Sequence, residues 1–330
     1  MFLGEKMKNN FSHSLLRFDN GGIMNGIINV YKEKGFTSFD VCAKLRGILK
    51  QKKIGHTGTL DPDAEGVLPV CVGNATKLCD MLTDKDKVYE AVLTLGITTD
   101  TEDMTGEILK KRPVNVSYDK VLEVIEQFIG TYDQIPPMYS AIKVNGQKLY
   151  ELARQGKVIE RKPRTVTIHA IDILGVTPSE ENADVVQEVR MRVSCSKGTY
   201  IRSLCRDIGE ALQCGGCMKS LIRTKVSIFT LENALRLTEI EDCVKNQTLD
   251  QVILPVDSLF LSIPKVVVKE EACKLLYNGN QLREENITRE NDSNLINIDK
   301  IRVYDSEDVF TGIYEYDKKK NCYQPVKMFL

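Results

Sequence analysis

The sequence has no long hydrophobic run and no excess of charge of either sign. It holds no stretch of 18 or more apolar residues, which excludes a transmembrane helix on length. Lysine and arginine number 45 against 46 aspartates and glutamates, and the resulting net charge of −1 argues against a disordered chain or a polybasic tail protein. Taken over the whole chain, the same balance also argues against a nucleic-acid-binding protein.

The short motifs of several large enzyme classes are missing as well. We find no Walker A loop, no G-x-S-x-G and no H-E-x-x-H, so a phosphate-binding loop, a hydrolase serine and a zinc-protease helix are not supported. The apolar core of a signal peptide is also missing, so the ten cysteines indicate free thiols in a reducing compartment. We therefore expect a cytoplasmic protein with no membrane segment.

The length of 330 residues suggests about two domains. Residues 1–23 are polar and aperiodic, and we interpret them as a leader or extension outside the fold. Residues 24–263 mix strand and helix patterns without regular βαβ spacing, which predicts an α+β domain with a mixed sheet. Within it, residues 131–165 read as an inserted arm. Residues 264–330 predict a small, β-rich second domain.

The periodicity of apolar residues predicts the individual elements. A capping box of Thr37 and Asp40 opens the first helix, and Gly130 is expected to end the second. The expected helices are 37–49, 117–129 and 199–212. The expected strands are 26–31, 67–72, 88–95, 164–175 and 184–196, followed by 265–269, 294–304 and 309–316 in the second domain.

The loop 55–66 is dense in turn-forming residues and contains Asp61 between a polar turn and Pro62. An aspartate on a rigid loop beside a histidine is a candidate catalytic carboxylate, and the alternative is a turn-forming residue with no chemical role. The same loop imitates a calcium-binding loop, but its twelfth position is Val72 where a bidentate glutamate is needed, so a calcium site is disfavoured.

Cys214 and Cys217 form a C-x-x-C pair. A zinc site needs four ligands and a second such pair is missing, while a thioredoxin-like site needs a βαβ context that the pattern does not offer. Zinc binding and a pair of buried thiols both stay open, with buried thiols favoured.

Basic residues are concentrated in three segments. Residues 24–59 and 143–165 each hold seven basic against two acidic residues, and 187–226 hold eight against three, so each segment has a net charge of +5. On one face of the molecule they would form a footprint for nucleic-acid phosphates; on separate faces they would be ordinary solvated surfaces. The sequence of charges alone does not choose between these two interpretations.

Five motifs in order resemble the TruB family of tRNA pseudouridine synthases, over about residues 24–257. They are Gly55-His56-Thr57-Gly58-Thr59-Leu60-Asp61-Pro62, Asp86-Lys87-Val88-Tyr89, Pro136-Pro137-Met138-Tyr139-Ser140-Ala141, Ser196-Lys197-Gly198-Thr199-Tyr200-Ile201-Arg202 and Leu221-Ile222-Arg223. The C-terminal domain more weakly resembles the PUA-like RNA-binding domain of that family. The chain departs from the family pattern at Lys32-Glu33, where the family usually has Lys-Pro.

The resemblance implies an enzyme that isomerises uridine 55 in the T-loop of tRNA and needs no cofactor and no metal. It implies Asp61, Tyr89 and Arg202 as catalytic residues. It also implies substrate contacts from a further set of residues: His56, Tyr89, Tyr200, Leu221 and Lys32. We expect His56 to fill the stack vacated by the flipped base, and Arg202 to lower the pKa of Asp61. Tyr89 is our candidate for removing the C5 proton.

The arm is expected to hold the RNA backbone through Lys157, Arg161 and Lys162, which favours a monomer acting on the tRNA T-arm with no obligate protein partner. Two alternatives remain: a guide-RNA-dependent relative inside a ribonucleoprotein, and a non-catalytic tRNA-binding or chaperone protein. The route by which Asp61 acts also stays open between attack on the sugar, attack on the base and removal of the 2′-proton.

Overall fold

A computed structural model describes residues 24–289 and 299–330; the expected leader 1–23 lies outside the described residues. The helices are α1 (Ser38–Leu49), α2 (Cys79–Thr83), α3 (Tyr118–Glu126), α4 (Leu149–Arg154), α5 (Ile201–Ala211), α6 (Leu237–Lys245) and α7 (Cys273–Tyr277). The strands are β1 (Gly26–Lys32), β2 (Ile54–His56), β3 (Glu65–Val72), β4 (Lys87–Leu95), β5 (Ile97–Thr99), β6 (Ile108–Lys111), β7 (Gly130–Gln134), β8 (Lys143–Val144), β9 (Gln147–Lys148), β10 (Arg164–Pro178), β11 (Val186–Cys195), β12 (Gly216–Val226), β13 (Phe229–Thr230), β14 (Ile253–Leu254), β15 (Lys265–Val268), β16 (Ile287–Arg289), β17 (Lys300–Tyr304), β18 (Phe310–Asp317) and β19 (Cys322–Met328).

A ten-stranded mixed sheet organises most of the chain. Its main path runs β14-β1-β3-β12-β4-β11-β10-β7, with β2 paired to β3 and β13 paired to β12. The β3–β12 pair is parallel, whereas its neighbours in the sheet are antiparallel. This confirms the expected α+β class with a mixed sheet. It also brings two segments about 150 residues apart into the middle of the sheet.

Helices cover the sheet where its strands are apolar. The capping box predicted at Thr37 and Asp40 is present at the start of α1, which buries Val41, Leu45 and Leu49. Helices α1 and α6 pack on one face of β1 and β3, while α2 and a short 3-10 helix pack on the other. Helices α3 and α5 cover the β4–β11–β12 region. These layers leave the turn after β2 and the start of α5 close together.

A second sheet contains β16, β15, β17, β18 and β19 in that order, all from the C-terminal part of the chain. It encloses its own apolar cluster around Val266, Val303 and Tyr314. Phe260, Phe310 and Phe329 pack together, so residues of both sheets share one further cluster. The expected β-rich character of this region is confirmed.

The arm 131–165 contains the β8–β9 hairpin and α4, and it has a small apolar cluster of its own around Met138, Leu149 and Leu152. One expectation beside it is wrong. Gly130 does not cap α3, because that helix ends at Glu126 and Gly130, with φ of +107°, opens β7.

Strand β12 and helix α6 were not among the expected elements. Lys219, Arg223 and Lys225 interrupt the apolar alternation of β12, and acidic residues dominate the exposed face of α6. Among residues 24–289 and 299–330, we find no helix with the length and hydrophobicity needed to cross a lipid bilayer.

Candidate active site

Asp61 lies in a tightly held turn between β2 and β3. Its own carbonyl accepts a hydrogen bond from the Ala64 amide at 3.1 Å, and the next carbonyl, of Pro62, accepts one from the Gly35 amide at 2.9 Å. The neighbouring Leu60 amide donates to the buried hydroxyl of Ser38 at 2.9 Å. Because hydrogen bonds hold the backbone on both sides of Asp61, the point from which its side chain extends is fixed.

Lys32 lies beneath this turn and is completely buried. Its ammonium donates to the carbonyls of Pro62 at 3.0 Å, Ala64 at 2.5 Å and Glu33 at 3.3 Å. Burial lowers the pKa of Lys32 to about 8, against the opposing effect of Asp61. The structure therefore shows Lys32 holding the Asp61 turn from below, and its expected contact with a substrate stays a prediction.

Arg202, on the first turn of α5, holds the carboxylate of Asp61. Its Nε lies 3.0 Å from Oδ2 and its Nη2 lies 3.3 Å from Oδ1, a two-point contact. The remaining donors reach the carbonyls of Thr101 at 3.0 Å and Tyr139 at 2.9 Å. Since Arg202 is buried and its guanidinium is bonded on every side, it can hold only one orientation.

The pKa of Asp61 is raised above its ordinary value. Burial is the largest cause, Asp103 adds to it, and Arg202 and Lys32 act in the opposite direction. We expected Arg202 to lower the pKa of Asp61. Its ion pair does act in that direction, but the net shift is upward because desolvation outweighs the ion pair.

Tyr89 and Arg223 face each other across β4 and β12. Burial raises the pKa of Tyr89, so its phenol is protonated at neutral pH, and removal of the C5 proton by Tyr89 stays a prediction. Arg223 is buried, donates to Val67 O at 2.8 Å and Gly58 O at 3.2 Å, and hydrogen-bonds Tyr89. Sequence reasoning missed Arg223, although an arginine inside the Leu221-Ile222-Arg223 motif was the available signal.

The other expected substrate residues have the following surroundings. Leu221 is buried in one cluster with Leu60 and Tyr89. Tyr200 precedes α5, and both its amide and its carbonyl bond the side chain of Gln134. His56 ends β2, and its Nδ1 accepts the Gly58 amide at 3.3 Å. Burial and Arg223 lower the pKa of His56, so its imidazole is neutral at pH 7.

The three arm residues differ in their surroundings. Lys157 and Lys162 are exposed, whereas Arg161 is half-buried and donates to Pro136 O at 3.1 Å. Arg161 therefore fastens the arm to its own base. Of the three arm residues, Lys157 and Lys162 are the ones whose charges face solvent.

The candidate metal ligands each have other neighbours in the structure. Cys217 is buried with its Sγ against the Sδ of Met104, and Cys214 is also buried. In the proposed calcium-like loop, Asp63 lies beside Lys34 and Glu65 accepts from Tyr31. Within the described residues there is no group of three or more His, Cys, Asp or Glu side chains suited to a metal ion.

Two family models match the chain. The N-terminal domain of the TruB family pseudouridylate synthases matches residues 46–201, and the C-terminal domain of tRNA pseudouridylate synthase B matches residues 202–261. The join between them falls inside the first turn of α5, and strands from both sides of it share the large sheet. Asp61 and Arg202 thus come from different matched regions and meet in one site.

Full-length relatives give the same result. A protein named tRNA pseudouridine synthase B from Lachnoclostridium phytofermentans is 87% identical over 307 residues, which is 93% of this chain and 100% of that protein. This chain belongs to the TruB family of pseudouridylate synthases. A second relative of the same name, from Alkaliphilus oremlandii, is 50% identical to this TruB-family enzyme over 78% of the chain and 83% of its own length.

Solved structures agree with the fold. A chain in a crystal structure of a Cbf5-Nop10-Gar1 complex is 25% identical, with a TM-score of 0.67 over 98% of this chain and 93% of that one. A chain from an H/ACA ribonucleoprotein bound to a substrate RNA containing 2′-deoxyuridine is 24% identical with a TM-score of 0.66, over 98% and 93%. The architecture of the TruB-family enzyme, including its β-rich second sheet, is that of these two solved chains.

Proposed function

We propose that this enzyme converts uridine 55 in the T-loop of tRNA to pseudouridine, acting alone and using Asp61 as its catalytic carboxylate. The observation that carries the proposal is the two-point contact of Arg202 with Asp61 at 3.0 and 3.3 Å. An oriented carboxylate on a rigid turn, lined by Tyr89 and Leu221, is what an isomerisation at a glycosidic bond needs. The relatives named tRNA pseudouridine synthase B support tRNA as the substrate.

The reaction is an internal transfer. The C1′–N1 bond breaks, the uracil turns, C5 bonds to C1′, and the proton lost from C5 is balanced by one gained at N1. Because nothing is added or removed, exclusion of water protects the intermediate from hydrolysis. Asp61 must be ionised for each of the three routes, attack on the sugar, attack on the base or removal of the 2′-proton, and the proposal holds for all of them.

A uridine inside a folded loop has to leave its stack before it can react. We assign His56 to the vacated position, since it lies at the end of β2 and is neutral at pH 7. Tyr89 offers an aromatic face to the flipped uracil, and such stacking contributes about 1–3 kcal/mol. Tyr200 and Leu221 complete the wall around the base.

Each of the two sheets belongs to a proposed domain with its own role. Residues 24–263 form the catalytic domain with its arm at 131–165, and 264–330 form a PUA-like domain that contacts RNA. Lys157 and Lys162 are exposed on the arm, where they can neutralise phosphates. An arm that holds the substrate itself supports a cytoplasmic enzyme that works as a monomer with no obligate protein partner.

The test is pseudouridine mapping in unmodified tRNA incubated with purified enzyme and no other protein. Wild type is expected to modify position 55, and Asp61→Asn to lose at least about a thousandfold in rate while RNA binding stays within severalfold. Asp63→Asn, a nearby exposed carboxylate beside Lys34, is the matched control and should keep turnover. Retained activity in Asp61→Asn contradicts the mechanism.

Two alternative functions give different results in the same assay. A guide-RNA-dependent relative would be inactive on bare tRNA, and a non-catalytic tRNA-binding or chaperone protein would bind without forming pseudouridine. Conversion by the purified chain excludes both.

A further inference from the structure

One buried acidic residue lies next to the active site and has no role in the scheme above. Glu102 is 7% exposed, and it lies between Thr101, whose carbonyl accepts from Arg202 at 3.0 Å, and Asp103, whose carboxylate is 3.9 Å from Arg202. The two residues on either side of Glu102 therefore both contact the arginine that orients Asp61.

The side chain of Glu102 connects this loop to α5. Its Oε2 accepts the hydroxyl of Ser203 at 2.6 Å, and its Oε1 is paired with Arg206. Ser203 is fully buried and follows Arg202 directly, while Arg206 lies one helical turn further on the same face. The carboxylate thus holds two residues of the α5 segment that directly follows Arg202.

The backbone at Glu102 is held in an unusual conformation. Its φ of +64° lies in the left-handed region, which costs a residue with a side chain about 1 kcal/mol or more. Its carbonyl accepts the Met218 amide of β12 at 3.0 Å, and the Met104 amide returns a bond to Met218 at 3.1 Å. Such a conformation persists only where the surroundings enforce it, which identifies this loop as a rigid support.

The same network reaches the base of the arm. Arg206 donates through Nη2 to Ile135 O at 3.0 Å, and Arg202 donates to Tyr139 O at 2.9 Å. We propose that Glu102 is a positioning residue that holds Arg202 against Asp61, through Ser203 and the flanking loop residues, and that links this alignment through Arg206 to the base of the arm. The proposal rests on the catalytic role of Asp61 proposed above.

The consequence for the chemistry can be measured. The charged groups that act on Asp61 are Arg202 and Lys32, which lower its pKa, and Asp103, which raises it. The titratable phenols of Tyr89 and Tyr200 also interact with its charge. When Arg202 is no longer aligned, its share is lost and the pKa of Asp61 rises further, so the acid limb of the rate–pH profile moves to higher pH. A variant that only lowered the folded fraction would reduce the rate and leave the acid limb in place.

The experiment measures single-turnover conversion of a T-arm RNA from about pH 5 to pH 9, with RNA affinity and melting temperature measured alongside. For Glu102→Ala we expect a rate at least about tenfold lower, an RNA affinity within about threefold, and an acid limb shifted upward by about half a unit or more. Glu102→Gln, which keeps an acceptor oxygen, should show a smaller loss and the same direction of shift.

Two further variants keep the test decisive. Ser203→Ala removes one hydrogen bond to Glu102 without leaving a charge unpaired, so it tests the proposal even if Glu102→Ala fails to fold. We expect its rate to fall about threefold and its acid limb to move to higher pH. Glu210→Gln is the matched control, since it breaks another ion pair of α5, with Arg112 at 2.9 Å, that does not touch Arg202. It should leave rate and profile unchanged.

The proposal is overturned if folded Glu102→Ala or Ser203→Ala keeps the wild-type rate, or loses rate with no shift of the acid limb. Failure of the proposed function would look different, because wild type itself would then form no pseudouridine or Asp61→Asn would remain active.

Discussion

The buried ammonium of Lys32 offers the sharpest quantitative test of how the Asp61 turn is held. Replacing it by methionine keeps the length of the side chain and removes the three hydrogen bonds to the carbonyls of Glu33, Pro62 and Ala64. The folded protein lowers the pKa of Lys32 from 10.5 to about 8, so the charged form is less favourable in the folded state than in the unfolded one. Its titration therefore affects stability in a pH window that the variant lacks.

The sign and size follow from linkage. The cost of keeping Lys32 charged is fully present below the folded pKa of about 8 and disappears as the pH rises towards the unfolded value of 10.5. With about 1.4 kcal/mol per unit, the cost is about 3 kcal/mol near pH 7 and about 1.4 kcal/mol near pH 9.5. The free energy of unfolding of wild type minus that of Lys32→Met should therefore rise by about 2 kcal/mol between these two pH values.

Urea denaturation of both proteins at the two pH values measures this difference, since other titrating groups are common to both. Pseudouridine formation at pH 7.5 provides a second measurement: Lys32→Met releases the turn, and the rate should fall by about tenfold or more while RNA affinity changes little. A stability difference that is equal at both pH values would refute the reasoning that a buried, charged ammonium holds the turn.

Two further predictions concern the sheet and the arm. Gly66→Ala should lower the free energy of unfolding by about 2–4 kcal/mol, because φ is +103° and a Cβ would lie 2.2 Å from the carbonyl oxygen of Arg223. Gly175→Ala, in open space, is its control in urea denaturation, and equal effects would contradict the steric argument. Lys157→Gln combined with Lys162→Gln should weaken RNA binding and flatten the dependence of log affinity on log salt by about 1–2. Lys245→Gln, on α6, should not, and an unchanged slope in the arm variant would remove the arm from the interface.

Much of the fold could be predicted because its signals are local. The capping box at Thr37, the alternation through β4 and the helical spacing in α5 each depend on residues close in sequence, and all three elements were confirmed. Strand β12 could not be predicted this way. Its basic residues are explained only by partners on other strands, such as the Val67 carbonyl that receives Arg223.

The candidate site shows the same division. The residue types at Asp61, Tyr89 and Arg202 were expected from motifs, and the structure brings Asp61 and Arg202 into direct contact. The balance of forces on them could not be expected, because it depends on how much water the fold removes. Burial therefore reversed the net direction expected for the pKa of Asp61. It also placed Lys32 beneath the turn, where its ammonium bonds backbone carbonyls.

The order of strands in the large sheet also determines how late in translation the active site can assemble. Strand β1 pairs on one side with β3 and on the other with β14, at Ile253–Leu254, and β3 pairs with β12. Strand β3 follows β1 closely, but β14 comes more than 200 residues later, and such distant pairing is slow. Asp61 leaves the ribosome long before Arg202, so the carboxylate remains unoriented until nearly the whole large sheet has been made.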